Sequence, residues 1–335
     1  MKTTQKLISV LGTTAAGKTS LTLYLAEKIL KENMADGICI ISADSRQVYQ
    51  GLETLTGTDI PPNFKFKNLE KSSDYYRFLK HNNMPITLHG ASIVSPTQDW
   101  SVAHFRNMAI DLIKQAWKKN WLPIVVGGTH FYHKQLFNND PDIYIKPNQK
   151  LRRSLAQKSI RELQDLLKKT DSKKLGLMNA SDRANPRRLI RAIEVAKAEK
   201  KLPKAEKNRP IFNEPEQYLS IALQVELETL QRKILTRVKQ RFHGGAIKEV
   251  KHLLSLKLKP TAQVMTSLGV KPITQYIANK LTAQETIQVW AQDELNYAKK
   301  QITWLKQMSV DLKIKTQDKN AQTKIWNHIK KTLNS

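Results

Sequence analysis

Residues 12–19 read Gly12-Thr13-Thr14-Ala15-Ala16-Gly17-Lys18-Thr19, and this stretch decides the fold. It meets the spacing G-x-x-x-x-G-K-[ST], in which a glycine-rich turn presents backbone N–H groups to a phosphate. The flanks agree. Leu7-Ile8-Ser9-Val10-Leu11 is a short apolar run that predicts a buried strand, and Ser20 to Leu30 places Leu21, Leu25 and Ile29 four apart on a helix. Strand, turn and helix in that order aim a helix N-terminus, with its partial positive charge, at an anion. Lys18 would reach the terminal phosphates and the Thr19 hydroxyl would ligate Mg²⁺. The motif points to a di- or triphosphate and leaves the reaction open.

Working outward, strand and helix signals alternate. Gly37 to Ser42 reads as a second strand ending at Ala43-Asp44, and a loop-rich stretch with Gly51, Gly57, Pro61 and Pro62 follows. His104 to Lys119 reads as a helix, and Leu122 to Val126 as a third strand ending at Gly127-Gly128-Thr129. This order predicts an α/β fold, a phosphate-loop type of parallel sheet flanked by helices. In such sheets ligands lie at the carboxyl ends of the strands, so the phosphate loop, Asp44 and Thr129 should share one crevice. Residues 143–206 are rich in Lys and Arg and read as short helices ending at Lys200-Lys201-Leu202-Pro203-Lys204. Leu219 to Val225 reads as a further strand, followed by helices at about 227–242, 246–256 and 282–308. The expected organisation is a catalytic core of residues 1–142 and 207–335 carrying a helical, basic insertion at 143–206.

Charge is distributed unevenly. The 335 residues carry 56 Lys+Arg and 29 Asp+Glu, a formal net charge of +27. Residues 1–140 hold 16 basic and 11 acidic side chains; residues 141–335 hold 40 and 18. A near-neutral phosphate-loop half joined to a strongly basic half suggests a small phosphate site beside a polyanion-binding surface, although solvated lysine-rich helices would give the same count. No apolar stretch is long enough to span a bilayer, and the apolar run Leu7–Leu11 is too short for a signal peptide. The single Cys39 excludes an internal disulfide and a cysteine-rich zinc site, and a reducing, cytoplasmic setting is expected. A monomer is expected.

Several constellations admit two readings. Asp44, at a strand end beside the phosphate loop, would hold Mg²⁺ through water, accept a proton from a nucleophile, or simply cap a helix. Thr129 would orient a polar substrate group or cap a helix. Lys233, Arg237 and Arg241 recur every four residues, a row suited to a diphosphate or a nucleic-acid backbone, or to a solvated helix face. Arg183, Arg187, Arg188 and Arg191 form a second basic cluster. Ile287, Trp290, Tyr297 and Trp304 recur at spacings three and seven and read as core packing rather than base-stacking platforms. His104, His130 and His133 lack partners at metal-ligand spacing.

Seven segments, taken in order, carry a resemblance. They are GTTAAGKT (12–19), SADSRQVYQG (42–51), WSVAHFR (100–106), PIVVGGTHFY (123–132), NPRRLIRAIEV (185–195), RVKQRF (237–242) and YAKKQITW (297–304). Together they resemble the tRNA dimethylallyltransferase, or isopentenyltransferase, family over about residues 1–308. The resemblance implies transfer of a dimethylallyl group from dimethylallyl diphosphate to the adenosine immediately 3′ of a tRNA anticodon. It implies diphosphate binding by Gly12, Thr13, Thr14, Ala15, Ala16, Gly17, Lys18, Thr19 and Arg237, with Mg²⁺ at Thr19. It implies catalytic roles for Asp44, Thr129 and Arg241. On the side of the tRNA anticodon stem-loop it implies Asp44, Ser45, Arg46, Gln47, Arg152, Arg187, Arg188, Arg191, Lys299, Lys300 and Gln301. The chain departs from the family pattern at Thr13, at Gly269-Val270-Lys271, at Leu295 and in a shorter loop after Phe242. A small-molecule kinase, a prenyltransferase acting on free adenine nucleotide and a non-catalytic nucleic-acid-binding ATPase are the competing readings. The basic half argues against the first two.

Overall fold

The apolar run at the chain start folds as strand β1 (Lys6–Gly12), buried from Leu7 onward. A computed structural model describes residues 5–58, 60–68, 77–199 and 211–334. The chain divides into two compact units, Met1–Phe137 with Asn213–Ser335, and Asn138–Phe212. The expected boundary near residue 206 and the exposed stretch Lys200–Lys204 lie outside the described residues.

The first unit continues through α1 (Lys18–Lys31), β2 (Gly37–Ser42), α2 (Glu53–Thr56), β3 (Phe64–Asn68), β4 (Arg77–His81), β5 (Ile86–His89), α3 (Val102–Lys118), β6 (Trp121–Gly127) and α4 (His130–Phe137). The strands form one eight-stranded sheet with β7 (Gln217–Gln224) and β8 (Leu312–Lys315), in the order β3-β4-β5-β2-β6-β1-β7-β8. From β5 to β8 every pairing is parallel, with Ile8 opposite both Ile124 and Leu219. Helices cover both faces, which is why β1, β2 and β6 are apolar along their length rather than alternating. α1 contributes Leu21, Leu25 and Ile29 to one core with Ile8, Val10, Ile38 and Ile124.

The structure adds an antiparallel edge that the sequence reading treated as loop. β3 pairs with β4 and β4 with β5 in antiparallel register. The segment Phe64-Lys65-Phe66-Lys67 alternates, Phe64 buried and both lysines exposed, as an edge strand with one covered face does. The polar C-terminal residues likewise form β8 and a helix at Ala321–Asn334, whose Ile325, Trp326 and Ile329 join the sheet core.

The second unit is helical, as expected for the insertion: α5 (Gln149–Leu155), α6 (Ile160–Thr170), α7 (Ser172–Leu177), α8 (Ala180–Arg183) and α9 (Pro186–Glu199). Leu155, Leu163, Leu167, Leu189 and Ile193 make its core. Its polar centre is Glu194, whose carboxylate is almost fully buried. Arg152 donates to it twice, through Nε at 3.0 Å and Nη2 at 2.8 Å. Arg191 donates at 2.6 Å and Asn148 N–H at 2.5 Å. Arg191 also donates to the carbonyls of Asp142 and Ile145. Burial pushes the Glu194 carboxyl up, but the two guanidiniums and the amide outweigh it and hold the group below its usual range. Arg152 and Arg191 are therefore tied into the scaffold of their own unit, with 37% and 32% of their side chains still exposed. Arg188 pairs with Asp182, while the exposed Arg187 guanidinium makes no hydrogen bond among the described residues.

Glu194→Ala should destabilise this unit by roughly 2–3 kcal/mol, less than a fully buried pair because both arginines are partly exposed. Urea unfolding of the whole chain followed by circular dichroism should show an early transition for the variant; an unchanged curve would mean that the network is dispensable.

Candidate active site

The last group of helices completes the first unit: α10 (Leu227–Arg241), α11 (Ile247–Ser255), α12 (Val270–Ile277), α13 (Ala283–Gln307) and α14 (Ala321–Asn334). A π-helical turn at Phe242–Ala246 joins α10 to α11. Of these helices, α10 and α13 join the carboxyl ends of β1, β2 and β6 around a cavity of about 1010 Å³, lined by Lys18, Asp44, Gly128, Arg237 and Arg241 among others.

The phosphate loop forms the floor. Ala15 (φ 57°) and Gly17 (φ 82°) take left-handed conformations, and Gly17 is the N-cap of α1 without a side-chain cap. Gly17 tolerates this at no steric cost. The first-turn N–H groups of α1 have no intrahelical acceptors and form an anion nest. Gly12 lies tight against β7: a Cβ there would sit 3.1 Å from the Leu223 carbonyl. Lys18 curls back to donate to the Thr13 carbonyl at 2.6 Å. Burial lowers its pKa to about 8, opposed by Asp44 and assisted by Arg237. Thr13 is buried beneath the loop, whereas Thr14 to Thr19 line the cavity.

Two strand ends meet at the opposite wall. One oxygen of Asp44, Oδ1, accepts from Arg46 N–H at 2.8 Å and Gln47 N–H at 3.3 Å. No helix follows before Glu53, so Asp44 closes a turn rather than capping a helix, and this fixes the carboxylate while leaving Oδ2 without a hydrogen bond among the described residues. Ser45 N–H donates to Thr129 Oγ1 at 3.3 Å, and Thr129 N–H donates to the Ala43 carbonyl at 3.3 Å. Thr129 is therefore locked to the Asp44 turn beside the cavity. Gly127 and Gly128 are glycines by necessity, since a Cβ would overlap the Ala43 backbone at the first and the Gln301 amide at the second. The Arg46 guanidinium is tied to the Gln263 carbonyl, and Gln47 donates to the Gly57 carbonyl at 2.8 Å. Burial, reinforced by Asp44 and opposed by Thr129 and Gln301, pushes the Tyr297 phenol up to about 12.

The third wall carries the arginines. Arg237 donates to the Gly57 carbonyl at 2.8 Å and to Thr14 Oγ1 at 3.3 Å. Arg241 forms a buried ion pair with Glu294 at 2.7 Å, both side chains about 5% exposed. Gly57 (φ 62°) caps α2 and lies against both guanidiniums, where any Cβ would overlap them. α2 is itself held by Glu249, which accepts from Thr54 N–H at 2.8 Å and Leu55 N–H at 2.7 Å. Lys233 lines the cavity too, so the row along α10 faces the site rather than solvent alone.

The sequence reading missed Glu294, Glu249 and Gly57, because their partners are about 50 to 195 residues away along the chain. Two of its placements change. Gln301 is 4% exposed, accepting from Thr14 N–H and donating to the Gly128 carbonyl, both at 2.8 Å. It braces the loop at the cavity wall, while Lys299 and Lys300 are exposed. Of the four residues read as core on α13, Ile287 and Trp290 are buried, but Tyr297 and Trp304 are 37% and 40% exposed. His130 and His133 are held neutral by burial, with pKa values lowered to about 4 and about 3.

An anion nest, a carboxylate oxygen left open and converging guanidiniums around one cavity are the features of a phosphate-loop enzyme. A family model described as IPP transferase matches residues 77–308. The tRNA dimethylallyltransferase 2 of Bacteroides fragilis is 31% identical over 90% of this chain and 89% of its own length. The tRNA dimethylallyltransferase of Clostridioides difficile is 32% identical over 90% and 88%. The crystal structure of the full-length tRNA isopentenylpyrophosphate transferase of Bacillus halodurans is 25% identical, with a TM-score of 0.63 over 98% of this chain and 97% of that one. A eukaryotic dimethylallyltransferase acting on tRNA, 22% identical, shares the fold at a TM-score of 0.70 over 97% and 78%. The chain belongs to the IPP transferase family, the tRNA dimethylallyltransferases. No described helix is long and apolar enough to cross a membrane.

Two outcomes are expected at this site. Affinity for a prenyl diphosphate should hold below pH 8, where Lys18 is charged, and fall above it by up to about tenfold per pH unit as the ammonium loses its proton. Lys18→Arg should flatten that profile, since guanidinium stays charged; titration calorimetry from pH 7 to 10 reads both. Gly57→Ala should displace the arginine pair and weaken prenyl diphosphate binding at least tenfold, which the same calorimetry measures at pH 7.

Proposed function

We propose that this chain transfers a dimethylallyl group from dimethylallyl diphosphate to N6 of the adenosine immediately 3′ of a tRNA anticodon, releasing diphosphate. The observation that carries the reading is the Asp44 carboxylate, fixed through Oδ1 and open at Oδ2, in the same cavity as Lys18 and Arg237. Family membership supports it, as do relatives whose names state tRNA dimethylallyl transfer.

In this reading the diphosphate lies over the nest of residues 12–19, with Lys18 and Arg237 along its oxygens. The adenosine, turned out of its stack, approaches from the Asp44–Thr129 wall. N6 attacks C1 of the dimethylallyl group, the C1–O bond breaks, and the electron pair leaves with diphosphate. The N6 proton passes to Asp44 Oδ2. Cations already aimed at the leaving group stabilise the charge that grows there, at no reorganisation cost. Arg241 acts at the same end, oriented by Glu294. Thr129 holds the Asp44 turn and, with Tyr297, positions the base.

Thr19 fits a Mg²⁺ role: it lines the cavity on the first turn of α1, and its hydroxyl makes no hydrogen bond among the described residues. Magnesium takes oxygen ligands, few of them from protein, so Thr19 with phosphate oxygens, water and, through water, Asp44 would suffice. When bound, it neutralises charge on the diphosphate. Ser45, Arg46, Gln47, Lys299 and Lys300 would border the anticodon loop, and the helical insertion would hold the stem by its backbone, with the exposed Arg187 among the cations that would do so.

The purified protein should move labelled dimethylallyl to an unmodified anticodon stem-loop carrying adenosine at that position. Transfer to AMP alone, or ATP hydrolysis without prenyl transfer, would overturn the reading. Asp44→Ala should lower kcat by about 10²–10⁴ while prenyl diphosphate still binds; loss of that binding instead would make Asp44 chiefly a metal ligand.

A further inference from the structure

α13 carries an exposed stripe that packing does not explain. Tyr297, Lys300 and Trp304 lie at spacings of three and four, which place them on one side of a helix. The buried face of α13 here is formed by Glu294, Ala298, Gln301 and Leu305. Tyr297 and Trp304 stand outside it at 37% and 40% exposure, with Lys300 exposed between them and Lys299 exposed beside them. Large aromatic surface left in water has a transfer cost that a partner would recover. On α4, which contacts α13, Phe131 is also exposed, two residues after Thr129.

The stripe begins at the site. Tyr297 lines the cavity together with Asp44 and Gln301. From there the helix runs on through Lys300 to Trp304. Aromatic rings alternating with cations are the chemistry that binds single-stranded nucleic acid: the rings stack on bases of any identity, and the ammonium groups meet the phosphates between them. An apolar protein partner would not need the lysines, and a paired duplex would not offer its base faces.

We propose that Tyr297, Lys300 and Trp304 form a stacking platform for unpaired nucleotides next to the reacting adenosine, with Trp304 stacking on a base outside the cavity. This rests on the proposed tRNA reading and adds what holds the loop open: a base stacked on Trp304 replaces part of the stacking lost when the adenosine is turned out.

The test compares an unmodified anticodon stem-loop RNA with a fully paired hairpin of equal length and charge. Trp304→Ala should weaken stem-loop binding about tenfold, leave hairpin and prenyl diphosphate binding unchanged, and raise KM for the stem-loop more than it lowers kcat. Trp304→Phe should restore most of the affinity and Trp304→Leu should not. Stem-loop RNA should also quench a tryptophan signal that Trp304→Phe lacks. Unchanged stem-loop affinity in Trp304→Ala would overturn the proposal, as would equal rescue by Leu, equal loss on the hairpin, or a changed oligomeric state in gel filtration marking a contact between copies. Failure of the unaltered protein to bind or modify the stem-loop would instead sink the tRNA reading itself.

Discussion

One buried amide holds the site together. Gln301 accepts from the Thr14 N–H in the loop after β1 and donates to the Gly128 carbonyl in the turn after β6. A primary amide has a donor end and an acceptor end, and a buried amide must satisfy both. The long helix α13 is thereby locked to two strand ends at once. The position of Asp44 follows, because the β6 turn also carries Thr129, which bonds to the Ser45 amide and the Ala43 carbonyl. The phosphate loop and the Asp44–Thr129 wall are fixed relative to each other by short bonds, and rigid spacing of this kind is what the proposed displacement between two substrates requires.

The charges show a second constraint. Lys18, Arg237 and Arg241 would repel one another in an empty cavity. The protein answers with Glu294 against Arg241, with backbone carbonyls for Lys18 and Arg237, and with Asp44 across the cavity. Gly57 permits the arrangement by having no side chain where two guanidiniums meet. The depressed pKa of Lys18 marks the part of this repulsion and burial that remains, which an anionic ligand relieves.

How far the sequence could be read depended on whether a feature is local. The phosphate loop, β1, β2, β6, α3 and α13 were legible because each is written in neighbouring residues, as apolar runs or as helical periodicity. The edge strands β3 and β4 were not, although Phe64 to Lys67 alternates, because the Gly and Pro residues before them suggested loop. Arg152, Arg191 and Gln301 were seen as polar residues in plausible places. Glu194 lies only three residues from Arg191, but its burial is not written locally, and Arg152 and Gln301 meet Glu194 and Gly128 across 42 and 173 residues. For Tyr297 and Trp304 the spacing was correct and the face was wrong, since periodicity tells which residues share a side but not which side is covered.

The sequence by itself determined a phosphate-binding α/β core, an acid at the second strand end, a basic second half and, through ordered motifs, a family resemblance. These depend on residue type and spacing. Only the tertiary structure decided which cations remain available and which are scaffold, that Arg241 is paired with Glu294, and that an aromatic stripe on α13 faces water. The pairings are settled by groups distant in sequence meeting at about 3 Å and the stripe by which face its neighbours cover, so burial and hydrogen bonding, not residue identity, assign the role.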